Sequence, residues 1–209
     1  MASRREEEPR DERKEFETVF EILQKQPLAA SVHYYIWEQL WPTENVVDVI
    51  NQYIGFFQPT RDAHLDRLII KVSDILSYEP NAPSFYRILN VLGRNSSLAP
   101  DVNVREMKKR LKKPGEVLEA IEYFRNSRVA HWDTSVEKLA KPVLSGDTKR
   151  MLTELRSISN EISGSHSRRI HAFRYSQQGD TTALLDELKR MRDEDQKRIE
   201  RLKRRSNRD

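Results

Sequence analysis

Apolar residues return every three or four positions along most of the chain, and prolines cut that rhythm into separate lengths. Phe16, Val19, Phe20 and Leu23 form a first stripe. Pro27 interrupts it and suits the first turn of the next helix, where its missing N–H is not needed. Leu28, Val32, Tyr35, Ile36, Leu40 and Trp41 follow, and Pro42-Thr43 closes that run. Val46, Val47, Ile50, Tyr53, Ile54 and Phe57 make a third stripe before Pro59 marks a restart. Leu65, Leu68, Ile69, Val72, Ile75 and Leu76 then give the strongest amphipathic pattern of the chain. The spacing predicts helices over 16–25, 28–41, 44–57, 60–77, 84–93, 102–112, 115–131, 148–175 and 181–204, with a second candidate break at Gly164. No segment alternates with the period of a strand, so the expected class is all-α.

Composition excludes much else. The 209 residues contain no cysteine and six glycines. That removes a disulfide scaffold, a thiol nucleophile and a Cys-type zinc site, and disfavours Gly-rich nucleotide folds. No stretch approaches the ~20 apolar residues that span a bilayer, so no membrane association is expected. The first fifteen residues are almost wholly charged and hold no apolar core of a secretion signal, which makes a cytoplasmic location the expectation.

The division expected from composition is a charged, disordered arm at 1–14, a helical domain at 15–177 and a charged C-terminal helix at 178–209. Basic residues number 37 and acidic residues 33. In the last helix Leu184, Leu188, Met191, Ile199 and Leu202 are separated by charges that alternate in sign up to Glu200 and are purely basic thereafter up to the final Asp209. A helical hairpin or coiled coil is one reading of this extension; a basic arm touching RNA is the other.

Candidate chemistry is sparse. His33, His64, His131, His166 and His171 show no HExxH or comparable metal spacing, no GxSxG elbow surrounds a serine, and no Walker or GxGxxG loop occurs. No metal and no cofactor is expected. Metal-free acid–base chemistry remains, and the segment Arg125 to His131 is its best carrier. Histidine shuttles protons near neutral pH, and the planar arginine cation matches phosphate oxygens. RNA can be cut without a metal when its own 2′-OH attacks, given a base, an acid and a cation for the developing charge. One His and one Arg supply part of that set, and two copies across a symmetric dimer could supply it all. On an ideal helix Arg125 and His131 do not share a face, whereas Arg128 and His131 do. Thr134 and Glu137 have capping-box spacing, so the helix is expected to end near His131 or Trp132. The structural alternative is that Arg and His near a helix C-terminus simply answer its dipole and last carbonyls.

The stretch RNSRVAHWD, Arg125 to Asp133, resembles the Arg-polar-x(3–5)-His signature of the HEPN superfamily, and is similar in particular to the abortive-infection U-type HEPN proteins. Phe56-Phe57 through Ala63, Leu68, Ile69, Ile70 and Ser73-Asp74 also resembles that family's second conserved helix. The likeness covers roughly residues 16 to 175. It implies a HEPN-like helical bundle, here with a basic C-terminal helical extension, and a homodimer whose two motifs face one cleft. It implies metal-independent RNA cleavage in a defence or toxin-like role, and a nucleotidyltransferase-like antitoxin as partner. Carried over by position, Arg125 would stabilise the phosphate, Asn126 would orient that arginine or the substrate, and His131 would act as general base or acid. Arg128, Trp132 and Asp133 would contact substrate. Family members that keep the fold without catalysis give the alternative: a HEPN-type module that dimerises and binds RNA or protein.

Overall fold

The structure is a computed structural model that describes residues 11–44, 46–125, 146–173 and 179–206. Among the described residues all regular structure is helical: α1 Glu12–Leu23, α2 Gln26–Gln39, α3 Val47–Gln52, α4 Ile54–Ile75, α5 Phe85–Arg94, α6 Val104–Lys112, α7 Gly115–Phe124, α8 Gly146–Ser167 and α9 Asp180–Ser206, with a 3₁₀ turn at Ser96–Leu98. No helix is long and apolar enough to cross a membrane among these residues.

Local chemistry explains where the helices begin. The Asp11 carboxylate accepts from the Lys14 N–H at 3.1 Å, and Glu12 and Glu15 sit in the first turn against the positive end of the dipole. These caps start α1 four residues before its first apolar position. Pro27 occupies the first turn of α2, as its chemistry suits. Ser84 Oγ accepts from the Arg87 N–H at 3.3 Å to open α5, and Asn103 accepts from the Glu106 N–H at 3.0 Å to open α6.

Interior boundaries also differ from the sequence expectation. The break expected at Pro59 lies instead at Tyr53 (φ −118°, ψ 37°), and α4 runs through Pro59. Pro59 falls in the second turn, so the bond it cannot make leaves only the Gly55 carbonyl without its helical donor, and Gly55 is exposed to water. Thr60 Oγ1 donates to the Phe56 carbonyl at 2.7 Å in the same turn. Gly164 does not interrupt α8, which ends at Ser167 rather than near 175. Arg168 enters the left-handed region at φ 56° and stops it, with its N–H bonded to the Gly164 carbonyl at 3.0 Å.

The chain divides into two compact units, Met1–Ser31 with Asp66–Arg174, and Val32–Leu65 with Tyr175–Asp209. In the first, α1 packs on α5, α5 on α6 and α6 on α8. Phe16, Leu23, Leu68, Ile69, Phe85 and Ile158 are among its fully buried side chains. Ion pairs tie the same contacts at the surface. Arg87 Nε meets Glu15 at 3.0 Å, Arg94 reaches both Glu12 and Glu15, and Arg110 of α6 holds Glu154, Glu161 and Ser157 of α8. In the second unit Leu40, Val49, Ile50, Phe57 and Leu185 form one buried cluster, with Ile36, Val46 and Leu188 packed against it. Arg192 of α9 reaches Asp48 of α3 at 2.8 Å. The first turns of α9 are therefore part of a core, which a purely solvated helix would not be.

Candidate functional site

Arg125 is set by α7. Val117, Ile121 and Phe124 turn one face of that helix into the first unit, and Arg125 follows as the residue that ends it. Its backbone keeps helical angles (φ −56°, ψ −47°), and its N–H donates to the carbonyls of Ile121 and Glu122. The residue is exposed. An exposed arginine here suits a phosphate ligand and equally suits an ordinary surface cation. Asn126, Arg128, His131, Trp132 and Asp133 lie outside the described residues, as does the capping box Thr134–Glu137.

The other end of α7 borders an open cleft of about 1050 Å³ in the first unit. The end of α6 supplies Lys112 and Lys113, the start of α7 supplies Gly115 and Val117, and α8 supplies Lys149 and Thr153. Two further cations there are already paired, Arg110 with Glu154 and Glu161, and Arg150 with Asp147. The Arg110 guanidinium holds the Glu161 carboxyl below the usual carboxylate range, helped by the Ser157 hydroxyl and opposed by partial burial. Three exposed lysines and the exposed Glu116 stand around the rim. Ten residues of α7 separate Gly115 from Arg125, a rise of about 15 Å.

The four described histidines fall into two groups. His166 Nδ1 lies 2.7 Å from the Leu98 carbonyl, and its ring packs on Phe16 with centroids 4.7 Å apart. His171 is held through its backbone N–H to Asn160 at 2.8 Å, and its Nε2 lies 3.3 Å from Ser163 Oγ. His166, in the last turn of α8, ties that helix to Leu98 and to Phe16 of α1, whereas His171 pins the segment after α8 back onto it. The second group was invisible to motif reading. His33 of α2 and His64 of α4, 31 residues apart, bring their Nδ1 atoms to 2.9 Å with rings 5.1 Å apart. Burial pushes the His64 imidazole below its ordinary value. One turn back on α4, the Arg61 guanidinium lies 5.1 Å from the Trp41 ring and 3.7 Å from Asp62. The only sequence signal for this pair was that both residues occupy positions flanking the apolar stripes of their helices. Among the described residues no group of three or more His, Asp or Glu is placed to hold a metal ion.

Comparison of the chain with protein-family models, with curated proteins and with solved structures finds no match.

Proposed function

We propose that the chain is a metal-independent RNA endonuclease of HEPN type, acting in defence or as a toxin, with a composite site built from two copies of the Arg125–His131 motif. Arg125 neutralises the phosphate, Asn126 orients it, and His131 exchanges the proton with the attacking 2′-OH or the leaving oxygen. Arg128, Trp132 and Asp133 contact the RNA around the cut. A nucleotidyltransferase-like protein encoded beside it is the neutralising partner that this reading calls for.

The observation that carries the reading is the position of Arg125. It is exposed at the end of α7, directly after three buried apolar residues at helical spacing and directly before the Asn126 of the motif. An all-helical chain is compatible with it. The second reading is a HEPN-type module without catalysis that dimerises and binds RNA or protein, and the lysine-rimmed cleft at the far end of α7 favours that one. Expression in a bacterial host separates them. Growth arrest that His131→Ala relieves supports the nuclease; arrest that persists undiminished with a folded His131→Ala protein removes it.

A further inference from the structure

Along its length α9 carries an apolar stripe that stays about half exposed among the described residues. Leu185 and Leu188 turn toward the core of the second unit, and Arg192 toward Asp48. Leu184, Met191, Ile199 and Leu202 lie within about 80° of arc at 100° per residue, a sector that borders the core-facing residues and shares Leu188 with them. All four are about half exposed, Ile199 at 50% and Leu202 at 56%. The helix continues to Ser206, so from Met191 it offers about 24 Å of this face.

Charge along the helix is sharply polarised. Residues 180–195 hold six carboxylates against three cations, whereas 196–206 hold one carboxylate against six cations. Such a helix complements itself when turned end for end. In a parallel in-register pair the basic ends would lie side by side, Asp195 would face its own copy and Arg198 would face its own copy, each like-charged contact being unfavourable.

We propose that α9 pairs antiparallel with α9 of a second copy of this chain, in the register that sets Met191 opposite the partner's Leu202. That register brings Asp195 opposite the partner's Arg198, and twofold symmetry repeats both contacts. Two apolar layers then flank a central double ion pair. Glu194, which rests on Arg190 at 2.6 Å in the single chain, comes within reach of the partner's Arg201. The apolar seam is short, so the contact is a weak one that holds at micromolar concentration. The central charges set orientation and register more than strength. The inference is independent of the nuclease reading and uses none of the motif residues.

The chain contains no cysteine, so introduced thiols report without background. Met191→Cys and Leu202→Cys are made singly in the full-length protein; both side chains are exposed and neither change disturbs the core. In the antiparallel register residue 191 is eleven residues, about 16 Å, from its own copy, far beyond disulfide reach. Under mild oxidation the mixture of the two variants is expected to form a cross-linked dimer about tenfold faster than either variant alone. Asp195→Arg is expected to slow that cross-link, and Arg198→Asp in the same chain to restore it. Cross-linking of each variant with itself at the rate of the mixture would overturn the register. No cross-link in any combination, including the case in which the basic turns instead retain RNA, would overturn the pairing.

Discussion

The Nδ1 atoms of His33 and His64 stand 2.9 Å apart, within hydrogen-bond distance across α2 and α4. A neutral imidazole has one donor and one acceptor nitrogen, so one ring donates here and the other accepts. A doubly protonated pair has two donors facing each other and loses the bond. The contact therefore requires at least one neutral ring, and burial disfavours the charged form of His64.

This gives a pH dependence with a definite sign. The folded pKa of His64 lies below the ordinary histidine value of about 6.5, so the unfolded chain binds the proton more readily. The contribution to stability is complete above about pH 6.5, is lost as pH falls toward the folded value, and is constant below it. Thermal midpoints measured from pH 8 to pH 5 are expected to fall over the lower half of that range, and His64→Gln to flatten the slope. An unchanged slope in the variant would contradict the account.

Glu161 is also shifted downward, but because its charged form is favoured, and it gives the same acid sensitivity. Arg110 lowers its folded pKa, so the stability is present above the unfolded carboxylate value of about 4.3 and is lost as pH falls through the folded value. Arg110 bridges α6 to three residues of α8 while remaining partly exposed. Arg110→Ala is expected to cost about 1–2 kcal/mol in urea unfolding at pH 7, and less in high salt.

Adjacent leucines in α9 separate core from surface. Leu185 is 3% exposed within the cluster of Leu40, Val49, Ile50 and Phe57, whereas Leu184 is 47% exposed. Leu185→Ala is expected to cost about 2–4 kcal/mol, and Leu184→Ala below about 0.5 kcal/mol. Chemical denaturation of the two single variants checks this; equal effects would contradict the placement of α9.

The helical stripes made most of the fold readable from sequence, because Phe16, Leu68, Ile69 and Ile158 recur at the period their burial demands. Boundaries were less readable where short-range chemistry overrode a rule. Asp11 started α1 early, an exposed Gly55 carbonyl let α4 continue through Pro59, and a left-handed Arg168 ended α8 short. The helix end expected near His131 or Trp132 lies outside the described residues, and Arg125, the last residue described before them, follows Phe124 with helical angles. The His33–His64 contact could not be read, since it depends on how two helices separated by 31 positions cross.

The central claim is RNA cleavage by the substrate's own 2′-OH with Arg125 and His131 as the acting side chains. Purified protein incubated with single-stranded RNA in excess EDTA tests it most directly. The account predicts cleavage that EDTA leaves intact, products ending in 2′,3′-cyclic phosphate, and no cut at a 2′-deoxy position. His131→Ala and Arg125→Ala should each reduce the rate about 10²-fold or more while keeping the helical circular-dichroism signal. Cleavage at the wild-type rate by folded His131→Ala, or activity lost only on chelation, would contradict it.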